Sequence, residues 1–200
     1  MFYLSLIEHK LRLPPHLLSL ALEEAIKKEL ENIFLDKVIT KLGLCVSIYD
    51  IRKIDGGFIS SGDGASTYTV KFRIIVFRPF AGEVIAGKLK ESHVDGLRLS
   101  LGFFDDIYIP AHLLPNPSHF VPDPENRYKA RWIWEYSAGE EYNIDGLDEI
   151  KFQVHAVNYP PIPLEQPEKP FAPMVITVSL AFKLLYTTVL SCVFVFKLDQ

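Results

Sequence analysis

The chain has 200 residues, of which 48% are hydrophobic and 23% are charged, and its formal net charge is −4. These values are those of a folded globular protein, and the length suffices for one large domain or two small ones. Residues 1–80 carry 11 basic against 9 acidic side chains, whereas residues 81–200 carry 10 against 16. The second part therefore lacks the basic field of a strong, sequence-independent nucleic-acid binder. Cys45 and Cys192 fit no disulfide or zinc pattern, which favours structural thiols in a reducing compartment.

The first eighty residues predict a sheet with one helix packed on it. Residues 2–13 favour a strand, which Pro14-Pro15 ends, and a helix can begin at these prolines. Apolar residues then recur at helical spacing on one stripe: Leu22, Ile26, Leu30 and Ile33. Residues 44–54 and 68–77 are rich in β-branched and aromatic residues, and a glycine-containing turn cluster lies between them. The fold class predicted for this part is α+β, with an antiparallel sheet.

After residue 80 the sequence changes to short strands separated by turns. Five candidate strands span residues 83–90, 97–101, 106–109, 131–136 and 149–157. Short strands with long, proline-bearing connections favour a five-stranded Greek-key β-barrel of the OB-fold kind. The connection from Pro110 to Pro124 holds five prolines, and an insertion of this length is usually functional or disordered.

The carboxy-terminal region has two unusual segments. Residues 160–173 contain six prolines and favour an extended linker. Residues 174–196 are almost wholly apolar, interrupted only by Lys183, and by length alone could span a bilayer. A buried strand followed by a hydrophobic tail is the rival interpretation. The amino terminus has neither the pattern of a signal peptide nor that of a transit peptide, so residence in the nucleus or cytosol is expected.

No arrangement of residues in the sequence predicts catalysis. Asp105 and Asp106 are neighbours on a predicted strand and point to opposite faces, so the favoured interpretation is a strand start with solvated carboxylates. Gly62-Asp63-Gly64 lacks the Lys-Ser/Thr of a P-loop and suits a hairpin turn. The six histidines form no metal-binding pair at short spacing, so a metal site would require a coincidence of tertiary structure. We therefore predict a protein that is not an enzyme by itself and that uses no cofactor or metal.

Features typical of binding are better represented than catalytic ones. Lys88 and Lys90 lie two residues apart on a predicted strand, and Arg98 follows the next tight turn. Aromatic residues beside cations on a small barrel are typical of OB-folds that bind single-stranded nucleic acid, so these three residues are the candidate RNA contacts. Trp132 and Trp134 alternate on a later strand, where packing in the core is favoured over base stacking.

Several motifs resemble the stalk-subunit family of archaeal and eukaryotic RNA polymerases, which includes the seventh subunit of RNA polymerase II. They are Gly43-Leu44-Cys45-Val46-Ser47-Ile48-Tyr49-Asp50-Ile51, Gly62-Asp63-Gly64-Ala65, Val76-Phe77-Arg78-Pro79-Phe80-Ala81-Gly82-Glu83-Val84 and Leu97-Arg98-Leu99-Ser100-Leu101-Gly102-Phe103-Phe104-Asp105-Asp106-Ile107-Tyr108-Ile109-Pro110. The motif at residues 97–110 is similar to that of the polymerase III member of this family. Trp132-Ile133-Trp134-Glu135-Tyr136 and Lys169-Pro170-Phe171-Ala172-Pro173-Met174-Val175 fit the same member in a plant-like form.

The resemblance implies a non-catalytic stalk subunit of nuclear DNA-directed RNA polymerase III that supports transcription initiation. Residues 1–78 would be a tip domain docked on the polymerase core, with Gly62, Asp63, Gly64 and Ala65 in the docking turn. Residues 79–159 would be an OB-fold domain that contacts nascent RNA. Arg78, Pro79 and Phe80 would form the junction of the two domains. A small helical subunit would be the stalk partner.

The resemblance stops after Thr177. We assign residues 160–177 to a proline-rich segment with room for a last strand, and residues 178–200 to an atypical apolar tail. The tail is interpreted as a splice variant or gene-model artefact. A membrane anchor is the competing hypothesis, and it is less favoured because Lys183 within the apolar segment disfavours insertion into a bilayer. The alternative functions are a free-standing single-stranded RNA-binding protein, a tail-anchored membrane protein and, least favoured, a hydrolase or transferase.

Overall fold

The computed structural model describes residues 1–59, 62, 64–122, 130–137, 139–144, 149–163 and 171–180. Within these residues the secondary structure is mostly β-strand, with one α-helix. The chain divides into two units, Met1–Pro79 and Phe80–Gln200.

The first unit is a four-stranded antiparallel sheet with strand order β1-β4-β3-β2. Its elements are β1 (Phe2–Leu13), a 3-10 helix (Pro15–Ser19), α1 (Leu22–Phe34), β2 (Val38–Ile39), β3 (Gly43–Ile59) and β4 (Ser66–Phe77). β4 lies in the middle because it pairs along its whole length with β1 and with most of β3. The predicted α+β arrangement is confirmed for this unit.

Helix α1 covers one face of this sheet. Ile26 and Leu30 of the predicted apolar stripe are fully buried, whereas Leu22 at the first turn is 40% exposed. These two residues pack with alternate residues of three strands: Leu11, Cys45, Ile48, Val70, Phe72, Ile74 and Val76. Such alternation is expected when only one face of a sheet is covered. The two prolines begin the short 3-10 helix, and the α-helix begins only at Leu22.

The second unit contains a five-stranded ring and a separate three-stranded sheet. Its elements are β5 (Val84–His93), β6 (Gly96–Ser100), β7 (Ile107–Pro110), a 3-10 helix (Ala111–Leu113), β8 (Ser118–Pro122), β9 (Ala130–Ser137), β10 (Glu140–Ile144), β11 (Glu149–Asn158) and β12 (Val175–Leu180). Around the ring the order is β11-β12-β7-β6-β5, and β5 pairs back with β11. The β12–β7 seam is thin, because it consists of two parallel residue pairs. The ring is therefore weakly paired at this one seam.

Gly96 shows how closely the strands approach in this ring. Its φ is +147°, and a Cβ at this position would lie 2.0 Å from the carbonyl oxygen of Ile109. Only glycine fits this contact, so the Asp95-Gly96 turn predicted from the sequence also sets the spacing between β6 and β7.

One predicted barrel strand was wrong. Residues 131–136 lie in β9, which is the central strand of the separate sheet β10-β9-β8 and not part of the ring. Trp132 and Trp134 are 7% and 6% exposed, and the Trp132 indole N–H donates a hydrogen bond to the His93 carbonyl oxygen at 2.9 Å. Packing of the tryptophans in the core is thus confirmed. Alternation of large aromatic residues indicates a strand with one buried face, but it carries no information about which sheet contains that strand.

The fifth strand of the ring is β12, which crosses the predicted start of the apolar tail at residue 178. Ile176, Val178 and Leu180 are buried on one face of this strand. A buried strand and a hydrophobic tail have the same composition, so only the pairing with β11 and β7 separates them. Residues 181–200 of the predicted tail, including Lys183 and Cys192, lie outside the described residues. Among those described, none of the helices has the length and apolar character needed to cross a membrane.

Candidate docking and nucleic-acid surfaces

The β3–β4 hairpin ends in an exposed apolar tip. Phe58 and Ile59 are the last residues of β3, and their exposed fractions are 79% and 70%. The ladder shifts register between Gly56 and Phe58, which marks a bulge in β3. Bulges bend a strand and redirect its side chains. The hairpin therefore presents two adjacent large apolar side chains beside the turn that leads into β4; we call Phe58 and Ile59 the hairpin tip.

The predicted docking turn lies next to this tip. Gly62 and Gly64 have φ values of +110° and +67°, a region that glycine adopts without the steric penalty of a side chain. Ala65 is 3% exposed, so its side chain belongs to the fold and not to the surface. Asp63 lies outside the described residues. The glycines thus shape the turn, and the exposed apolar surface comes from Phe58 and Ile59, which were missed as site residues although they follow the Gly56-Gly57 break.

The face of the first sheet opposite α1 has an apolar end, which we call the open-face patch. It contains Phe2, Leu4 and Leu6 of β1, whose exposed fractions are 46%, 49% and 65%. Phe2 and Leu4 lie opposite Phe77 and Ile75 of β4. Contiguous exposed apolar surface of this kind is typical of an interaction site.

The rest of the open face carries charged residues, several of which are paired within the sheet. Arg73 donates two hydrogen bonds to the Asp50 carboxylate, at 2.7 and 2.5 Å, and its guanidinium lies 4.8 Å from the centre of the Tyr49 ring. The hydrogen bond from Arg73 holds the pKa of Asp50 below its usual value. Lys71 and Glu8 form a further pair at 3.0 Å. These bonds hold the charged side chains of the face in place. The open-face patch is therefore the part of this face with exposed apolar surface for a partner.

The predicted junction residues lie where the two units meet in the sequence. The Arg78 backbone N–H donates to the Met1 carbonyl oxygen at 2.8 Å, which closes the first unit. The first unit ends at Pro79 and the second begins at Phe80. The Phe80 backbone N–H donates to a Glu83 carboxylate oxygen at 3.2 Å.

Two of the three candidate RNA-binding cations are engaged by carboxylates of their own unit. Lys90 donates to Asp105 at 2.6 Å. Arg98 donates to Asp106 at 2.9 Å and to the Asp105 carbonyl oxygen at 3.1 Å. The structure therefore corrects the interpretation of Asp105 and Asp106 as merely solvated carboxylates.

Asp105 is the centre of this network. It also accepts a hydrogen bond from the Ser100 hydroxyl at 2.5 Å, and that hydroxyl oxygen accepts one from the Gly102 N–H at 3.0 Å. The hydrogen bond from Lys90, followed by that from Ser100, lowers the pKa of Asp105. The acidic motif thus fixes the turn between β6 and β7, and it neutralises much of the cationic surface.

Lys88 differs from the other two cations. It is exposed and forms no ion pair within the described residues. It lines an open cavity of about 300 Å³ together with Ser100, Gly102 and Glu149. Of the three candidates, Lys88 is therefore the one without an ion pair in the described part of the chain, with Glu149 opposite it on β11.

An α+β unit with an exposed apolar tip, followed by a five-stranded ring on which Lys90 and Arg98 are paired with carboxylates, has the features of a protein that binds other macromolecules. Residues 83–173 match the family described as RNA polymerase III subunit Rpc25. Residues 8–64 match the SHS2 domain found in the N terminus of Rpb7p/Rpc25p/MJ0397.

Similar proteins support the same assignment. The DNA-directed RNA polymerase III subunit rpc8 of Schizosaccharomyces pombe is 39% identical over 142 residues, which cover 68% of this chain and 68% of that protein. RPC8 of Bos taurus is 36% identical over 157 residues, with 77% and 74% covered. The RNA polymerase II subunit RPB7 of Saccharomyces cerevisiae is 29% identical over 161 residues, with 78% and 94% covered.

The chain belongs to the RPC8/Rpc25 family of RNA polymerase III subunits. The predicted resemblance to the polymerase III member is confirmed. It is a non-catalytic stalk subunit of that polymerase class and is not an enzyme by itself.

Proposed function

We propose that this chain supports transcription initiation in the nucleus by docking its first unit on the polymerase III core and on a small helical stalk partner. The single observation that carries the proposal is the exposure of Phe58 and Ile59 at the end of the β3–β4 hairpin. Burying a large apolar side chain stabilises a complex by about 1.5–3 kcal/mol. Neither side chain gains this energy within the isolated chain, whereas a core subunit with a matching pocket would supply it.

The hairpin tip suits insertion into a pocket. Interfaces draw most of their affinity from a few large side chains near their centre. Gly62 and Gly64 let the chain turn into β4 at positive φ values of +110° and +67°. The predicted docking residues therefore act by shaping the hairpin, and the apolar pair supplies the contact.

The open-face patch suits the small helical partner. A helix buries its apolar stripe on a sheet face, as α1 does on the opposite face of the same sheet. Phe2, Leu4 and Leu6 form a row along β1 with the spacing of one strand face. The apolar row ends at Leu6, beyond which the face carries the paired charges described above.

Contact with nascent RNA is proposed for Lys88 on the barrel, with smaller contributions from Lys90 and Arg98. Pairing of Lys90 with Asp105, and of Arg98 with Asp106 and Glu91, reduces the gain from binding a phosphate. The acidic balance of residues 81–200 acts in the same direction. RNA would therefore bind only where the polymerase already holds it nearby, which disfavours a free-standing RNA-binding protein.

The test is a pulldown of the tagged full chain from a nuclear extract, with quantitative mass spectrometry of the proteins recovered. The double variant Phe58→Ser/Ile59→Ser is expected to lose polymerase III core subunits and to keep the small stalk partner. Leu6→Asp is expected to lose the small partner. A loss of about 2 kcal/mol at either surface corresponds to about a thirtyfold weaker affinity.

Val94→Ser provides the matched control, because Val94 is 66% exposed and belongs to the second unit, whereas both proposed surfaces belong to the first. It should recover all subunits as the unaltered chain does. Undiminished recovery of the core by the double variant would refute docking through the hairpin tip. Recovery of polymerase II subunits in place of polymerase III subunits would refute the choice of enzyme.

A further inference from the structure

Three potential metal ligands come together on the separate sheet of the second unit. His119 lies on β8, Glu135 on β9 and Glu141 on β10, and the ligand atoms of all three lie within 4.8 Å of one another. The His119 Nδ1 is 3.8 Å from a carboxylate oxygen of Glu135. All three side chains are exposed, so water also has access to the cluster. We call these residues the β8–β10 cluster.

The strand register places them on one face. The buried Trp132 and Trp134 define one face of β9, so Ile133 and Glu135 lie on the other. His119 is opposite Ile133, diagonal to Glu135 and within side-chain reach of it. Glu141 is directly opposite Glu135, beside a register shift at Glu140. Backbone pairing thus places the three residues on one face of the sheet.

The electrostatics of the cluster favour a cation. Two like charges directly opposite each other on neighbouring strands destabilise the pairing. Within the described residues neither Glu135 nor Glu141 forms an ion pair with a lysine or arginine, and the side chains facing Glu135 in the cluster are the His119 ring and the Glu141 carboxylate. A divalent ion between the two carboxylates would turn their repulsion into attraction.

We propose that the β8–β10 cluster binds one zinc ion through His119, Glu135 and Glu141. Imidazole nitrogen and carboxylate oxygen are both zinc ligands, and sites with three protein ligands take water in the remaining position. An imidazole ligand favours zinc over magnesium or calcium, which prefer all-oxygen sites. The bound ion would cross-link the three strands of this sheet.

The experiment is a Zn²⁺ titration of the full chain, followed by tryptophan fluorescence and by thermal unfolding. Both tryptophans of the chain lie on β9, one of them next to Glu135, so their emission reports on this sheet. A saturable change with one site per chain is expected, together with a rise in Tm that Mg²⁺ at the same concentration does not give. His119→Gln and Glu141→Gln are each expected to weaken Zn²⁺ binding at least about tenfold.

Glu140→Gln is the matched control, because it removes the same charge from the preceding residue, which is also exposed. It should leave Zn²⁺ binding unchanged. Without metal, Glu141→Gln is expected to keep or raise the Tm, since it removes one of two opposed charges; a fold defect in this variant is thus distinguished from loss of a ligand. Binding that survives in both His119→Gln and Glu141→Gln, binding that falls equally in Glu140→Gln, or no saturable binding would overturn the proposal.

Discussion

Asp105 joins three separate parts of the second unit through its side chain and backbone. Its carboxylate accepts hydrogen bonds from Lys90 on β5 and from Ser100 at the end of β6, and its carbonyl oxygen accepts one from Arg98. A charged acceptor with two donors holds the turn between β6 and β7 more firmly than neutral hydrogen bonds would. The same bonds withdraw Lys90 and Arg98 from other anions, so a structural role competes with the RNA contact predicted for them.

In the variant Asp105→Asn, the free energy of unfolding should change less with pH in the acidic range. The lowered pKa of Asp105 means that its ionised form stabilises the fold fully above its unfolded value of 3.8, and that this contribution is lost as the pH falls below 3.8. At neutral pH we expect the variant to lose about 0.5–1 kcal/mol, the range of partly exposed ion pairs. Urea denaturation at pH 6 and pH 3 measures the difference.

The control for this prediction is Asp95→Asn. Asp95 is exposed in the turn between β5 and β6 and forms no ion pair within the described residues, so its removal should not alter the acid dependence. A variant Asp105→Asn that loses as much stability between the two pH values as the unaltered chain would contradict the role assigned to Asp105.

At the scale of elements, β12 decides whether the ring is complete. It pairs with β11 over most of its length and with β7 over two residues. Its buried face continues the apolar alternation of a strand through Val178. The chain thus supplies the fifth strand of the ring with residues that follow the matched segment 83–173.

A charge on the buried face of β12 should therefore strongly destabilise the second unit. Val178 is fully buried, and Val178→Asp is expected to reduce the free energy of unfolding by about 3–5 kcal/mol, as for other uncompensated buried charges. Ser179→Asp places the same charge on the opposite face of the strand and should cost less than about 1 kcal/mol. Equal effects in urea denaturation would show that residue 178 lies outside the core.

At the scale of the whole molecule, charge distribution limits what the isolated chain can bind. The net charge is −4, and the excess of acidic residues lies after residue 80. Affinity for nucleic acid depends on cations that are free to displace condensed counterions from phosphates. With Lys90 and Arg98 paired, few such cations remain on the barrel.

The isolated chain should accordingly bind single-stranded RNA weakly and with a shallow salt dependence. For one or two phosphate contacts, the slope of log K against log salt concentration is about −0.7 to −1.4. Lys88→Gln should reduce its magnitude by about 0.7, whereas Lys90→Gln should change it less because Lys90 is paired with Asp105. Fluorescence anisotropy with a labelled oligonucleotide at several salt concentrations measures both. A slope steeper than about −3 would instead favour a free-standing RNA-binding protein.

The sequence by itself determined the local features of this protein. Alternation of apolar residues predicted β1 and β4, the spacing of Ile26 and Leu30 predicted the packed face of α1, and Asp95-Gly96 predicted a tight turn. These features depend on residues close together in the chain, where backbone geometry and solvent exposure act directly. Family membership was also readable, because it is carried by continuous motifs.

Only the tertiary structure decided which strands pair and which charges meet. The sequence did not show that β9 lies outside the ring, that β12 completes it, or that Asp105 engages Lys90. It also gave no sign that His119, Glu135 and Glu141 converge, since they lie on three strands with no short-range spacing. Such contacts join residues far apart in the chain, so they are fixed by strand order and register, which are properties of the packed sheet and not of any one segment.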